Sequence, residues 1–225
     1  MVEAKAFVFV IVSVAVFGMV ASDPDLLQDL CVADKAAGTW NLWIGIKVNG
    51  FPCKHEENVT EADFFFSGLA NPGIVNNSMG SVVTKANVKK IPGLNTLGVS
   101  LARIDFQPGG LNPPHTHPRA TEVVFVLEGE LYAGFITTSN KLISKTIKKG
   151  DVFVFPKGLV HFQKNNADMP ASVIAGFNSQ SPGTQSIAAT LFTSEPAVPV
   201  HVLAKTFQVG TGEVENIKIK LVPKV

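Results

Sequence analysis

The sequence predicts an all-β domain, built as a sandwich or a barrel, with short α-helices at its C-terminal end. Between residues 79 and 195, short runs rich in Val, Ile and Phe alternate with Gly, Pro and Asn, as in strands joined by turns. After residue 196 the apolar residues are spaced more widely, which favours helices. Sixteen Phe, against two Trp and one Tyr, point to one Phe-rich core.

The composition excludes several classes of protein. The chain has 225 residues, which suits one domain or at most two small ones. At 46% hydrophobic residues it can bury enough surface to offset the entropy lost on folding, so disorder is not expected. With 16% charged residues and a net charge of +1, it has no basic field for nucleic-acid phosphates. We therefore expect no nucleic-acid partner.

The first 21 residues have the pattern of a secretory signal peptide. Residues 6–20 carry no charge, follow Lys5 and precede the small residues Ala21 and Ser22. The run is shorter than the roughly 20 residues that span a bilayer, so a membrane anchor is the weaker alternative. We expect residues 1–21 to be removed, and the mature chain to be exported and not held in a membrane.

Residues 22–78 form an N-terminal extension with poor periodicity. Its two cysteines, Cys31 and Cys53, are the only ones in the chain, and an oxidising compartment favours a disulfide. Closing that loop is worth roughly 3 kcal/mol in the chain-entropy model. The sequons at Asn58 and Asn76 are candidate glycosylation sites if the chain is exported.

The segment 79–195 is the predicted β domain. Residues 121–127 are apolar at nearly every position, which predicts a strand buried on both faces. Its expected strands include Leu97–Phe106, Thr121–Ile136, Lys141–Ile147, Val152–Phe155, Leu159–Gln163, Ala171–Phe177 and Ser186–Phe192.

The segment 196–225 is the predicted helical end. Short helices are expected over Pro199–Phe207 and Gly212–Leu221, where apolar residues recur three or four positions apart. Helices appended to a β domain often dock against a neighbouring subunit, so these helices are candidates for contact with a second copy.

Two histidines and a glutamate form the first candidate metal-binding segment, which begins at Gly109. His115 and His117 are two residues apart, so on a strand they project to the same face. Pro118–Ala120 then makes a turn that resets the alternation, which lets Glu122 point inward on the next strand. Two imidazoles and a carboxylate converging at a turn are typical of a metal site.

A third histidine lies in a similar segment further along the chain. Pro156 and Gly158 predict a hairpin corner that aims His161 off the returning strand. Burying three histidines and a carboxylate without partners would cost several kcal/mol, and a metal removes that cost. His55 and His201 have no such partners around them and are interpreted as solvated side chains.

These two segments resemble the two motifs of the cupin superfamily, and the chain resembles the germin-like proteins of plants within it. The first reads Gly109-x5-His115-x-His117-x4-Glu122-x6-Gly129, and the second reads Gly150-x5-Pro156-x-Gly158-x2-His161-x3-Asn165. The germin likeness also covers residues 23–34, 49–54, 113–115 and 177–183, and so extends over nearly the whole mature chain.

The resemblance implies a cupin β-jelly-roll barrel with short C-terminal helices. It also implies a hexamer, a trimer of dimers, whose trimer contacts involve those helices. Germins bind manganese through three His and one Glu, which are His115, His117, Glu122 and His161 here. The family's disulfide corresponds to Cys31 and Cys53, and its members are glycoproteins of the extracellular matrix.

The resemblance leaves three functions open. We favour a manganese superoxide dismutase of the plant cell wall or apoplast, with a role in defence or stress. A non-enzymatic wall or storage (nutrient reservoir) protein is the alternative. Oxalate oxidase ranks last, because the germins that oxidise oxalate orient it with two asparagines, and only Asn112 matches; the other position is Ala102.

The stretch Lys35–Ile46 departs from the germin pattern. It is longer and more apolar than family members show between the two cysteines, and it holds both tryptophans. The departure concerns the extension and leaves the four candidate ligands unaffected.

Overall fold

The computed structural model describes residues 28–36 and 50–221. The chain divides into two compact units at residue 31, and of the first unit only residues 28–31 are described. The predicted signal peptide lies outside the described residues, as does the stretch Lys35–Ile46 except for Lys35 and Ala36. Within the described part of the chain, no helix is both long enough and apolar enough to span a membrane.

Two antiparallel sheets of five strands each face one another in the second unit. The first sheet has the order β1-β2-β9-β4-β7 and the second the order β10-β3-β8-β5-β6. The all-β prediction is therefore confirmed. The strands are β1 (Ser81–Ala86), β2 (Ser100–Phe106), β3 (Leu111–Thr116), β4 (Glu122–Glu128), β5 (Glu130–Ile136), β6 (Leu142–Lys148), β7 (Val152–Phe155), β8 (His161–Lys164), β9 (Ala171–Phe177) and β10 (Gln185–Ser186).

The hydrophobic core lies between the two sheets. Phe106 and Phe155 from the first sheet and Leu131 and Ile147 from the second belong to one buried cluster. At about 25 cal/mol for each Å² of apolar surface removed from water, large side chains of this kind supply most of the favourable free energy of folding. This core fixes the positions of the strand ends from which the candidate ligands project.

Strand β4 is buried on one face only, so the prediction of burial on both faces is wrong. Val124 and Val126 point into the core, whereas Val123 and Phe125 are 41% and 44% exposed. The sequence does not show the alternation of buried and exposed residues, because both faces of this strand carry large apolar side chains. In the single chain the outer face of the sheet is therefore both apolar and open.

The turns beside the candidate ligands join the two sheets. β7 belongs to the first sheet and β8 to the second, so the hairpin corner predicted at Pro156 and Gly158 is wrong. β3 and β4 are likewise divided between the sheets. Gly and Pro mark the place of a turn but do not decide which strands pair across it. Gly158 has a φ of +79°, a conformation that glycine adopts without strain.

Three short helices follow β10: α1 (Ile187–Phe192), α2 (Val200–Phe207) and α3 (Thr211–Leu221). The helices predicted at 199–207 and 212–221 correspond to α2 and α3. The strand predicted at Ser186–Phe192 is wrong, since helix α1 takes up those residues after Ser186. The adjacent alanines at 188 and 189 favour a helix, whereas the β-branched and aromatic residues around them favour a strand. Phe192, Leu203 and Val214 join the three helices in a second small core.

In the described part of the N-terminal extension, two short segments run antiparallel to each other. The amide of Asp34 donates to the carbonyl of Pro52, and that of Lys54 donates to the carbonyl of Val32, each over 2.8 Å. Cys31 and Cys53 are both disulfide-bonded. Short 3-10 turns follow at Glu56–Asn58 and Glu61–Asp63. Asn58 and Asn76 are exposed, as glycosylation requires.

Candidate metal centre

Four side chains converge between the sheets: His115, His117, Glu122 and His161. Each offers one ligand atom, and these four atoms lie within 4.8 Å of one another. All four residues are at least 95% buried. The structure thus brings together the four residues that the two sequence motifs singled out, and among the described residues they form the single such group.

The strand register explains this convergence. His115 in β3 lies directly opposite His161 in β8. Glu122, at the start of β4, is in register with Phe155 in β7 and Phe177 in β9, which are both core residues. The turn after His117 carries the chain from one sheet to the other. The glutamate therefore faces the histidines across the interior of the barrel.

Each histidine is held in one tautomer by a backbone carbonyl. Nδ1 of His115 donates to the carbonyl of Pro113 over 2.8 Å, and Nδ1 of His161 donates to that of Leu159 over 2.8 Å. Nδ1 of His117 donates to the carbonyl of Gly183. Since a carbonyl can only accept, the proton of each neutral ring is on Nδ1, and Nε2 keeps its lone pair. Outer partners of this kind orient metal-binding histidines.

Glu122 adds a carboxylate to the three imidazoles, and its position beside their nitrogens requires a cation. Its Oε2 lies 3.0 Å from Nε2 of both His117 and His161, while its Oε1 is buried with no hydrogen-bond partner among the residues that the structure describes. Lone pairs on two nitrogens and a carboxylate oxygen repel one another at this distance unless a proton or a metal ion lies among them. The residues present therefore fit a divalent metal ion.

The ionisation of the site suits a metal. Burial raises the pKa of Glu122, but the side chains of His117 and His161, whose Nε2 atoms lie 3.0 Å from its carboxylate, outweigh burial and bring the pKa down to about 2. Burial, reinforced by the nearby His161, lowers the pKa of His115 to about 4. At neutral pH the glutamate is thus ionised and His115 is neutral, which are the forms that coordinate metals.

Two phenylalanines fix the histidine rings. Phe155 stacks on His161 with ring centroids 4.5 Å apart, and Phe177 meets His117 edge-on at 4.9 Å. Both phenylalanines are core residues of the barrel. Their packing limits the motion of the rings and keeps water from that side of the site.

A cavity of about 510 Å³ leads from the surface to the site and is lined in part by His115, His117 and Glu122. Asn112 and Ala102 also line it, so both positions singled out for oxalate lie beside the candidate ligands. Nδ2 of Asn112 donates to Oε1 of Gln163 over 2.7 Å. One of the two N–H donors of the Asn112 amide is therefore engaged within the protein.

Sequence reasoning missed Gln163, Arg119 and Gly183. Gln163 is fully buried, and its Nε2 has no hydrogen-bond partner within residues 28–36 and 50–221. Strand alternation from His161 was the signal that could have found it. Gly183, which holds His117, has a φ of +70°, and a Cβ there would lie 2.7 Å from Nη2 of Arg119. No short motif predicts that contact, because Arg119 and Gly183 are 64 residues apart in sequence.

The remaining histidines take no part in the site. His55 and His201 are both exposed and lie outside the four-residue group. Their interpretation as solvated side chains agrees with the structure.

Comparisons with known proteins point in one direction. The family model described as Cupin matches residues 67–215. Germin-like protein subfamily 2 member 4 of Arabidopsis thaliana is 67% identical over 219 residues, which are 97% of this chain and 96% of that protein. The rhicadhesin receptor of Pisum sativum is 66% identical over 200 residues, 89% of each chain. Among solved structures, recombinant oxalate oxidase in complex with glycolate superposes with a TM-score of 0.82 at 44% identity, covering 89% of this chain and 98% of that one.

Proposed function

The chain belongs to the cupin family and, within it, to the germin-like proteins, and on that premise we propose that it is a secreted manganese protein that dismutates superoxide in the plant cell wall. One observation carries the proposal. Three imidazole nitrogens and one carboxylate oxygen converge at the end of a cavity that opens to the surface. Four protein ligands leave about two positions open on a six-coordinate ion, as catalysis requires.

Manganese is proposed from the family, because the ligand set by itself would favour copper or zinc in the intrinsic order of affinities. His115, His117, Glu122 and His161 would hold the ion. Bound there, manganese supplies an electron acceptor and donor by alternating between two oxidation states. Two superoxide ions and two protons then give one O₂ and one H₂O₂. Peroxide formed in the wall by this reaction would underlie the proposed role in defence or stress.

The protein's own residues prepare the site for this chemistry. The carbonyls of Pro113, Leu159 and Gly183 hold the imidazoles with Nε2 toward the centre. Glu122 is ionised at neutral pH and lowers the net charge of the metal site. A small diatomic substrate requires no further orienting groups, so the side chains seen here suffice for it.

Oxalate oxidase is less favoured, although an oxalate oxidase superposes well on the chain. Ala102 offers no amide donor in the cavity, and Asn112 already donates to Gln163. One missing hydrogen bond to a charged ligand is worth about 1.5–3 kcal/mol. A dianion would therefore be bound ten- to a hundredfold more weakly than in a site with both amides.

The non-enzymatic alternative assigns the metal a purely structural role. Structural metal sites are usually closed by their protein ligands, whereas this one adjoins a cavity. The cavity favours the enzyme. It does not conflict with a wall or storage role for the same protein.

We propose the same assembly that the family implies, a hexamer built as a trimer of dimers. The outer face of the first sheet supports it, because that face is apolar and open in the single chain. Its residues include Leu101, Val123, Phe125, Val152 and Val154, which are 41–57% exposed. A surface of this kind usually marks a contact with another protein.

Secretion is proposed from the N-terminal signal pattern and from the disulfide, since disulfides persist in oxidising compartments. The test is to express the full chain in plant cells and to determine the N-terminus of protein recovered from the apoplast. A mature chain that begins near Ala21 or Ser22 supports the proposal. A chain retained inside the cell with residue 1 intact would contradict it.

The activity is tested with purified protein loaded with Mn²⁺, using superoxide decay followed by stopped flow. The proposal predicts a rate per manganese well above that of the free ion at the same concentration, and loss of that excess in Glu122→Gln. A loaded protein no faster than free Mn²⁺ would overturn the dismutase. If that protein still retained its manganese, the non-enzymatic alternative would replace it.

A further inference from the structure

The mouth of the metal cavity carries three cationic side chains, Lys85, Lys89 and Arg119, here called the basic collar. Among the described residues that line the cavity, the single carboxylate is Glu122, at its inner end. All three collar residues are exposed. None of them forms an ion pair with another residue in the described part of the chain. Their charge is therefore not neutralised by any side chain that the structure describes.

The fold places these side chains toward the cavity. Lys85 lies on β1, the edge strand of the first sheet, directly opposite Ala102 on β2. Residues paired in this register share one face of the sheet, and Ala102 faces the interior. Lys85 therefore extends from the inner face at the open edge. Lys89 follows in the loop after β1, where its backbone amide donates to Oδ1 of Asn87.

Arg119 is held in place by the same loop that orients His117. Its Nε donates to the carbonyl of Ser181 over 2.8 Å, and its backbone amide donates to the carbonyl of Pro182. Its guanidinium lies against Gly183, where a Cβ would come within 2.7 Å of Nη2. This geometry occupies Nε and leaves other N–H groups of the guanidinium without a protein partner among the described residues.

Three cations around the entrance of a low-dielectric cleft concentrate anions there, because the cleft focuses the field and the charges are not paired. The cavity lining also includes apolar side chains, among them Ile104 and Phe177. The positive charge at the entrance of a cavity of about 510 Å³ favours a small anion over a neutral molecule.

We infer that the basic collar attracts small anions to the metal site, with Arg119 as its fixed binding group. The inference rests on the proposed function for the location of the metal, but it does not depend on which reaction the metal performs. It deepens the proposed function by naming the substrate class and the residues that determine it. Superoxide is a member of that class.

Chloride is the probe for the first experiment, because the ³⁵Cl resonance broadens when the ion exchanges with cationic sites on a protein. The line width is measured with metal-free protein, so the result does not depend on metal loading. The collar variant is K85Q/K89Q/R119Q. A matched control, K141Q/K145Q/K149Q, removes the same charge from exposed lysines that do not line the cavity.

The wild type and the control variant should broaden the chloride line to a similar extent, and azide should reverse the broadening. The collar variant should lose about fivefold in chloride affinity. The double variant K85Q/K89Q retains Arg119 and its contacts, and its chloride affinity should fall by less than that of the collar variant. Because Arg119 keeps its contacts, the double variant also provides a test if the triple variant misfolds. Equal broadening by wild type, collar variant and double variant would overturn the inference.

A second experiment links the collar to the reaction. The second-order rate of superoxide decay by manganese-loaded wild type should fall as salt rises from 10 to 200 mM, because screening weakens the field. The collar variant should be slower and nearly independent of salt. Chloride binding at the basic collar without dismutation would overturn the proposed dismutase activity and would leave the inference about the collar standing. Dismutation with the same salt dependence in both proteins would overturn the collar alone.

Discussion

At the scale of single residues, the protonation of His115 decides how the metal-free site responds to pH. In the folded chain its pKa is lowered to about 4, whereas a free histidine titrates near 6.5. Between these values the unfolded chain binds a proton that the folded chain excludes. Acid therefore favours the unfolded state through this residue.

We predict that metal-free wild type loses stability as the pH falls from 6.5 toward 4, and that His115→Gln loses less over the same range. Urea unfolding at pH 7, 5.5 and 4 measures the difference. Carboxylates elsewhere affect both proteins alike, so the comparison isolates His115. Parallel pH profiles for the two proteins would show that the folded chain does not exclude the proton.

Ala102 is the residue that separates this cavity from one built for oxalate. It is 3% exposed, on the inner face of β2 beside the candidate ligands. We predict that Ala102→Asn raises oxalate-dependent peroxide formation by about ten- to a hundredfold, the value of one hydrogen bond to a charged ligand.

Ala102→Leu is the control for that prediction, since it adds comparable bulk without an amide. It should give no gain over the wild type, which itself should turn oxalate over slowly. Rapid oxalate turnover by the unmodified protein, or an equal gain in Ala102→Leu, would show that the amide is not what the cavity lacks.

At the scale of elements, the spacing of the two motifs encodes turns as well as ligands. Asn165, the last residue of the second motif, is fully buried between β8 and β9. Its Nδ2 donates to the carbonyls of Gln107 and Met169, and its Oδ1 accepts from the amide of Ala167. It therefore anchors the strand that carries His161, without reaching the metal site itself.

We predict that Asn165→Ala lowers the free energy of unfolding by about 2–4 kcal/mol, because three backbone groups lose their partner in a buried turn. Thermal and urea unfolding of the metal-free protein measure it. Asn166→Ala, at the exposed neighbouring position, should change stability by less than about 0.5 kcal/mol. Equal changes in the free energy of unfolding for the two variants would show that Asn165 does not anchor this strand.

The ligand set was predictable from sequence because His115, His117, Glu122 and His161 lie at fixed distances from Gly and Pro residues. The prediction used strand alternation, the position of a turn and the likeness of the two segments to the cupin motifs. The pairing of strands was not predictable in the same way. The turn at Gly158 reads as a hairpin, yet it joins two sheets, and that choice depends on contacts between residues far apart in sequence.

The errors at β4 and α1 have the same origin. Val123 and Phe125 look like core residues, but the single chain leaves them exposed. Residues 187–192 combine β-branched and aromatic residues with two alanines, so their local preferences are balanced. Packing of Phe192 against Leu203 and Val214 then favours the helix.

At the scale of the whole molecule, the exposed outer face of the first sheet predicts an assembly. Phe125 lies near the middle of that face, opposite Ile174 on one side and Val152 on the other. A charge placed there would be buried without a partner if the face were covered by a second copy, and such burial costs several kcal/mol.

We predict that Phe125→Glu reduces the molecular mass of the assembly measured by light scattering, while Met169→Glu, an exposed loop position, leaves it unchanged. Both variants should bind manganese like the wild type, since neither residue lies among the ligands. A wild-type monomer, or an unchanged mass for Phe125→Glu, would show that this face is not an interface.

The central claim is that four side chains bind one metal ion inside the barrel. The most direct measurement is the metal content, by elemental analysis, of wild type and of His161→Ala purified without chelator and dialysed at neutral pH. We expect about one manganese per chain in the wild type and little in the variant. Full manganese content in His161→Ala, or none in a correctly folded wild type, would contradict it.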